Sequence, residues 1–133
     1  MHKVVLDTNI LIALVLKDHI FHEEVRRKLN TASIEVCIPF HTLNEYVLVS
    51  KKLKLDDDFI RETIESFRES FYIVDTFLED FFRVLELSKK YNIPLSEIND
   101  LILISIAKRL KAKLFTYDKE LKKIAEKEGI SLL

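Results

Sequence analysis

A short apolar run that leads directly into a carboxylate constrains the fold of this chain more than any other feature. Val4, Val5 and Leu6 precede Asp7 with no polar residue between them. Such a run is typical of a strand that is buried on both faces inside a parallel sheet. Thr8-Asn9 then offers an N-cap for the apolar helix that follows. Ligands of open α/β sheets bind beyond the carboxyl ends of the strands, so Asp7 is predicted to face such a crevice.

The rest of the chain alternates between strand and helix patterns. Further strands are predicted over residues 34–38, 71–74, 114–116 and 130–132. Helices are predicted over residues 9–16, 21–29, 40–52, 56–70, 77–91, 98–110 and 119–127. Strands that alternate with helices indicate an α/β fold in which helices cover both faces of a parallel sheet. The length of 133 residues, with no linker or repeat, fits one domain over residues 1–133.

Composition excludes several classes of protein. The single cysteine, Cys37, rules out a disulfide scaffold and fits a reducing compartment. No apolar stretch approaches the roughly 18–20 residues of a membrane span, and we expect a cytoplasmic protein. A chain with one glycine has no glycine-rich phosphate loop. The net charge of −1 does not by itself indicate nucleic-acid binding.

Three further carboxylates stand in apolar surroundings, namely Glu45, Asp100 and Asp118. Burying an unpaired carboxylate is costly, so such acids are normally paired or bind metal. Asp7 and Asp118 follow predicted strands, whereas Glu45 and Asp100 lie near the starts of predicted helices. In a parallel α/β sheet the carboxyl ends of strands and the amino ends of helices share one edge. All four acids are therefore able to converge.

Four converging oxygen ligands without histidine or cysteine suit a hard cation such as Mg²⁺ or Mn²⁺. Such a site orients a water, lowers its pKa and stabilises charge on a phosphodiester. Thr8, Asn9 and Thr116 supply neutral donors and acceptors at the same edge.

Each acid also has a simpler explanation. Asp7 and Asp118 suit helix caps, Asp100 suits the helix dipole, and Glu45 has lysines 51 and 52 within reach as ion-pair partners. His19 and His22, with Glu23, suggest zinc, but they lack a third ligand and fit an exposed amphipathic helix better.

The chain resembles the PIN-domain nucleases, and in particular the compact VapC-type toxins of prokaryotic toxin–antitoxin pairs. The resemblance covers the whole chain and depends on four short motifs in order. These are Val4-Val5-Leu6-Asp7-Thr8-Asn9, Asn44-Glu45, Ile98-Asn99-Asp100-Leu101-Ile102-Leu103 with Ala107 beyond, and Thr116-Tyr117-Asp118.

The resemblance implies a three-layer α/β/α fold with a five-stranded parallel sheet of order 3-2-1-4-5. It implies a Mg²⁺- or Mn²⁺-dependent endoribonuclease that acts on RNA, forms a homodimer and has an antitoxin partner. Its catalytic and metal-site acids would be Asp7, Glu45, Asp100 and Asp118, with Asn9 and Thr116 in support and Glu97 as a minor candidate. The alternatives are a PIN nuclease of RNA processing without an antitoxin, and a degenerate PIN domain that only binds RNA or protein.

Two surfaces are expected to serve these partners. The apolar side chains of residues 59–71 and 77–91, including their phenylalanines, are assigned to the core or a dimer surface rather than to base stacking. The lysines of the mildly basic ends are expected to flank the acidic mouth and neutralise phosphates, namely Lys51, Lys52, Lys54, Lys108, Lys111 and Lys113.

Overall fold

The computed structural model describes residues 2–133, in which strands and helices alternate as predicted. The strands are β1 (His2–Leu6), β2 (Ile34–Pro39), β3 (Tyr72–Val74) and β4 (Lys113–Phe115). The helices are α1 (Thr8–Val15), α2 (His22–Leu29), α3 (Phe40–Lys52), α4 (Asp57–Ser70), α5 (Leu78–Tyr91), α6 (Ile98–Leu110) and α7 (Lys119–Lys127), and a 3-10 turn (Leu95–Glu97) precedes α6. The predicted bounds of α3, α6 and α7 agree with the structure to the residue.

The four strands form one parallel sheet of order β3-β2-β1-β4. The first strand is central, since Val5 pairs with Cys37 of β2 on one side and with Leu114 of β4 on the other. The predicted parallel α/β fold and the order of the first four strands are therefore confirmed.

The prediction of a fifth strand over residues 130–132 is wrong, because the structure forms only one bridge there. Only a single parallel bridge, between Leu114 and Leu132, continues the sheet beyond β4. The cause is the end of α7, where the Ile130 amide donates to the Ala125 carbonyl over 2.8 Å. That amide is used by the helix terminus and is not available for a strand ladder. The sheet has four strands rather than five in the part of the chain that the structure describes.

Two hydrophobic clusters lie on opposite faces of the sheet. Val5 contributes to one cluster, whereas Val4 and Leu6 contribute to the other, as the alternation of side chains along a strand requires. Helices α5, α6 and α7 pack on the Val5 face and α1 to α4 on the opposite face. This is a three-layer arrangement that buries Val4, Val5 and Leu6 of β1 between the two layers of helices, while His2 and Lys3 at the start of the strand are exposed.

None of the helices within residues 2–133 is both long enough and apolar enough to span a bilayer.

Candidate active site

The carboxyl ends of β1 and β4 carry Asp7 and Thr116, which lie side by side because the two strands pair in parallel. Asp7 is only 6% exposed. Its Oδ2 accepts hydrogen bonds from Thr116 Oγ1 at 2.7 Å and from Asn9 Nδ2 at 3.3 Å. Its Oδ1 accepts one from the Thr8 amide at 2.7 Å. Both oxygens of this carboxylate are therefore held in fixed directions.

Asn9 and Thr116 join the first strand to the loop that follows β4. Asn9 Oδ1 accepts a hydrogen bond from the Tyr117 amide at 3.2 Å, and Thr116 Oγ1 accepts one from the Asp118 amide at 3.0 Å. The Asn9–Tyr117 contact connects residues 108 positions apart in the chain, and the Thr116–Asp118 contact joins the two polar residues within the loop. They fix the orientation of Asp7 relative to Asp118 before any ligand arrives.

Asp7 and Asp118 also serve as the N-caps of α1 and α7, as the simpler explanation predicted. Asp118 Oδ1 accepts hydrogen bonds from the amides of Glu120 and Leu121 at 2.9 and 3.1 Å. The cap of α1 is thus Asp7 itself, and the prediction that Thr8-Asn9 supplies it is wrong by one residue. Capping by a side chain in the extended residue after a strand satisfies free helix amides. It does not exclude a second role for the same carboxylate.

Helices α3 and α6 bring Glu45 and Asp100 to the same edge. Glu45 Oε2 accepts a hydrogen bond from Thr8 Oγ1 at 3.3 Å. The expected alternative, an ion pair of Glu45 with Lys51 or Lys52, is not formed among residues 2–133, and Lys51 pairs with Asp57 instead. Asp100 is half-buried in the first turn of α6.

One cavity of about 370 Å³ contains all four acids. It is lined by Asp7, Thr8, Asn9, Ile12, His19, Glu45, Val49, Asp100 and Asp118. Thr116 does not line it and lies behind Asp7, where it is 2% exposed. The arrangement is the one expected when the carboxyl ends of parallel strands and the amino ends of helices meet at one edge.

The four acids form an uncompensated cluster of negative charge. Burial, followed by the charges of Asp7, Asp118 and Glu45, raises the pKa of Asp100 to about 7. Burial is also the main cause that raises the pKa of Asp7, with Asp118 adding to it. Within residues 2–133 none of the four forms an ion pair with a basic side chain.

The donor set suits a hard divalent cation, although the carboxylates do not converge on one point. No three Asp, Glu, His or Cys side chains of the described residues stand close enough together to form a preassembled metal centre. Mg²⁺ retains several waters and uses only one or two protein carboxylates, so a looser ring of acids around a cavity fits it. Burial, together with the neighbouring negative charges, raises the pKa of Asp100, and this is the second observation in favour because a bound cation stabilises the charged carboxylate.

Two histidines behave differently from the sequence-based expectation. His19 lies between α1 and α2 and lines the acidic cavity, a position that no pattern in the sequence predicted. His22 is 7% exposed, and its Nδ1 donates to the Ala13 carbonyl over 2.9 Å, so it is buried rather than on an exposed face. The position of His19 depends on the path of the loop between α1 and α2, which residue spacing does not encode.

None of the six lysines expected to flank the acidic mouth lines the acidic cavity of the described residues, and three of them lie at another site. Lys108, Lys111 and Lys113 line a separate cavity of about 470 Å³ together with His2. His2 and Lys113 begin β1 and β4, so this cavity lies at the amino ends of the strands. Asp7 lies at the opposite, carboxyl ends. The prediction that these lysines flank the acidic mouth is wrong. Glu97 does not line the acidic cavity, although its charge contributes to the raised pKa of Asp100.

The fold and the site define a class: a parallel α/β/α domain with a ring of acids at the carboxyl edge of its sheet. The chain belongs to the PIN domain family, whose model matches residues 4–127. A search of curated proteins finds no match.

Several solved structures share the fold. VapBC2 from Rickettsia felis, bound to a DNA fragment from its promoter, is similar with a TM-score of 0.73 and 21% identity over 98% of this chain and 97% of that one. VapBC-1 from nontypeable Haemophilus influenzae has a TM-score of 0.71 and 20% identity over 98% and 96%. VapC20 from Mycobacterium tuberculosis, a Sarcin–Ricin loop cleaving toxin, has a TM-score of 0.76 and 11% identity over 90% and 93%.

Proposed function

We propose that this protein is a Mg²⁺- or Mn²⁺-dependent endoribonuclease and the toxin component of a VapBC-type toxin–antitoxin pair. The observation that carries the proposal is the ring of Asp7, Glu45, Asp100 and Asp118 around one cavity, in which no acid has a basic partner from residues 2–133. A purely structural set of carboxylates is normally paired, because unpaired negative charges destabilise the fold. The family relationship and the similarity to toxin–antitoxin structures support the same assignment.

The protein side of the reaction follows from the hydrogen bonds of the site. Asp7 is the most rigid of the acids, since Thr8, Asn9 and Thr116 hold both of its oxygens. Thr8 also donates to Glu45, so one residue orients two carboxylates. A bound Mg²⁺ or Mn²⁺ would supply a water of lowered pKa and stabilise the charge on the phosphate oxygens. Asp7, Glu45, Asp100 and Asp118 are the residues that would hold it.

The presence of all four acids counts against the alternative of a degenerate PIN domain that only binds. A nuclease of RNA processing without an antitoxin has the same site. The two are distinguished by a partner: co-expression with the product of a neighbouring reading frame of antitoxin size yields a stable complex only for the toxin.

A homodimer is the second part of the proposal. Four apolar side chains of α5 lie at helical spacing on one exposed stripe, which we call the α5 stripe: Leu78, Phe81, Phe82 and Leu85. They are between 43% and 65% exposed, an unusual exposure for large apolar groups on a small domain. Residues 59–71 do not contribute in the same way, because Ile60 and Phe67 are buried in the core.

The direct test is cleavage of a mixed RNA population by purified protein. We expect cleavage with Mg²⁺ or Mn²⁺ that EDTA stops and added Mn²⁺ restores. Asp7→Asn is expected to abolish cleavage while the circular-dichroism spectrum stays unchanged. Glu97→Gln is the matched control, since this acid lies outside the cavity and its loss leaves cleavage intact. Full activity of Asp7→Asn, or of the protein in EDTA, contradicts the proposal.

A further inference from the structure

A second cavity of about 440 Å³ lies at the same edge of the sheet as the acids. It is lined by Phe40, His41, Asn44, Asp75, Thr76 and Phe77. These residues follow the carboxyl ends of β2 and β3, whereas Asp7 and Thr116 follow β1 and β4. Since β2 pairs with β1, the two cavities are neighbours along one continuous edge.

Helix α3 and the start of α6 connect the two cavities. His41, Asn44 and Glu45 are spaced three and four residues apart on α3 and so share a helix face. The His41 Nε2–H donates to the Asn99 carbonyl over 3.0 Å, one residue before Asp100. The other ring nitrogen, Nδ1, is buried and has no hydrogen-bond partner among residues 2–133. Asn44 of the second cavity and Glu45 of the acidic cavity are thus consecutive residues of one helix.

The walls of the second cavity are aromatic and are held in place by the protein. Phe40 and Phe77 are 55% and 49% exposed, so part of each ring is open to a ligand. The Arg109 guanidinium lies 4.0 Å from the centre of the Phe77 ring, and its Nη2 donates to the Asp75 carbonyl over 2.8 Å. Arg109 does not itself line the cavity and does not fill it. The buried Asp80 in turn holds Arg109, with Oδ2 at 3.1 Å from Nη2.

The polar groups of this cavity disfavour a phosphate. No lysine or arginine among residues 2–133 lines it, and burial lowers the pKa of His41, which disfavours a positive charge on the ring. The carboxylate of Asp75 repels an anion. Asn44, Asp75 and Thr76 instead offer hydrogen-bonding groups beside two aromatic rings, the combination that single-stranded nucleic-acid sites use for a base.

We propose that this cavity is a nucleobase subsite, in which one unpaired base of the RNA stacks on Phe40 or Phe77 while the adjoining phosphate reaches the acids. The inference rests on the proposed nuclease function, and it adds that the protein recognises a base of the RNA substrate. The edge of the base meets Asn44, Asp75 and Thr76. The competing occupant is a second copy of the chain, since the α5 stripe begins at Leu78, directly after Phe77.

The test measures binding of fluorescein-labelled single-stranded heptanucleotides (oligo-A, oligo-C and oligo-U) by anisotropy. It uses the full chain carrying Asp7→Asn, which prevents cleavage. Phe40→Leu and Phe77→Leu each retain apolar bulk and remove the aromatic face. Phe40→Tyr keeps an aromatic ring at position 40. Phe82→Leu, on the α5 stripe, is the matched control.

We expect Phe40→Leu or Phe77→Leu to weaken binding by about 5- to 100-fold, the range for loss of one base stacked on an aromatic side chain. Phe40→Tyr and Phe82→Leu are expected to bind like the parent. Asp75→Asn is expected to change the order of preference among the three oligonucleotides, because an amide donates as well as accepts while a carboxylate only accepts.

Equal affinities for the parent and both leucine variants overturn the subsite while leaving the proposed nuclease function intact. A change in light-scattering mass of the leucine variants with unchanged RNA affinity also overturns it and assigns the cavity to a protein interface. If the wild-type protein neither binds nor cleaves RNA with Mn²⁺, the proposed function fails and the subsite fails with it.

Discussion

Thr116 Oγ1 donates a hydrogen bond to Asp7 Oδ2 over 2.7 Å and connects the carboxyl ends of β4 and β1. The same oxygen accepts from the Asp118 amide, so one hydroxyl holds two of the four acids in a fixed relation. Asp7 follows the central strand and is only 6% exposed, and Thr116 makes the shorter of the two hydrogen bonds to its Oδ2.

Thr116→Val is therefore expected to reduce RNA cleavage by about 10- to 100-fold, as is typical when a partner that orients a metal-site ligand is lost. Valine has nearly the same shape as threonine but removes the hydrogen bonds of Thr116 Oγ1 with Asp7 Oδ2 and with the Asp118 amide. The measurement is kcat with Mn²⁺ together with the Mn²⁺ concentration for half-maximal activity.

Thr42→Val is the matched control for this substitution. Thr42 is 1% exposed, and its Oγ1 donates to the Leu6 carbonyl at the same edge of the sheet. We expect Thr42→Val to lower stability by about 1–2 kcal/mol, as loss of a buried hydrogen bond does, with an unchanged metal response. A loss of activity equal to that of Thr116→Val would show that the effect is general destabilisation.

The raised pKa of Asp100 makes the stability of the metal-free protein depend on pH. The pKa rises from 3.8 to about 7 on folding, so this group stabilises the fold below about pH 4, and that contribution is lost as pH rises towards 7. We expect the melting temperature in EDTA to fall between pH 5 and pH 7.5 and to recover on addition of Mn²⁺, which binds the native state.

Asp100→Asn is expected to raise the melting temperature in EDTA at pH 7.5 and to flatten its pH dependence. Asp100 accepts no hydrogen bond from residues 2–133, so its replacement removes charge without breaking a contact. Glu97→Gln, which removes an exposed and more distant charge, is expected to have a smaller effect. Destabilisation by Asp100→Asn in EDTA would contradict the electrostatic account.

The pair of Asp80 and Arg109 is expected to be the strongest single polar contribution to the packing of α5 on α6. Asp80 is fully buried and accepts hydrogen bonds from Ser105 Oγ at 2.6 Å and from the Phe77 amide at 2.8 Å. Burial alone favours the neutral acid, but these bonds and Arg109 lower the pKa of Asp80. Its contribution to stability is present above about pH 4 and is lost as pH falls through the lower folded-state value.

Asp80→Ala is therefore expected to lower the free energy of unfolding by about 3–5 kcal/mol, because it leaves the Arg109 guanidinium without its carboxylate partner. The measurement is urea unfolding at pH 7. Glu65→Gln breaks the exposed pair of Glu65 with Arg68 and should cost less than about 1 kcal/mol. Similar losses of unfolding free energy for the two substitutions would show that burial does not strengthen the pair of Asp80 and Arg109.

The exposed apolar side chains of the α5 stripe predict a homodimer. We expect light scattering at micromolar concentration to give the mass of two chains for the wild type and of one chain for Leu85→Glu, since a buried charge at an apolar interface is costly. Leu53→Glu is the control, because Leu53 is 49% exposed but lies after α3, away from the stripe. A wild type that is already monomeric contradicts the prediction.

Much of the fold and the placement of the acids follow from local sequence patterns. The apolar run before Asp7 predicts a buried strand, and β1 is buried where that run lies. The bounds of α3 and α6 also follow from the pattern, because Pro39 stops one strand before α3 and an apolar series fills α6. The grouping of Asp7, Glu45, Asp100 and Asp118 at one cavity follows from the shared edge of parallel strands and their helices.

The sequence by itself determined the alternation of strands and helices, the parallel sheet and the edge at which the acids meet, since these depend on short-range patterns and one rule of topology. Only the tertiary structure decided that His19 joins the acidic cavity, that the lysines of α6 and β4 lie at the opposite edge, and that Asp80 is buried against Arg109. The reason is physical. A charged residue in the first turn of a helix has the same local pattern whether it faces solvent or a partner 29 residues away, and only the packing of α5 on α6 distinguishes the two.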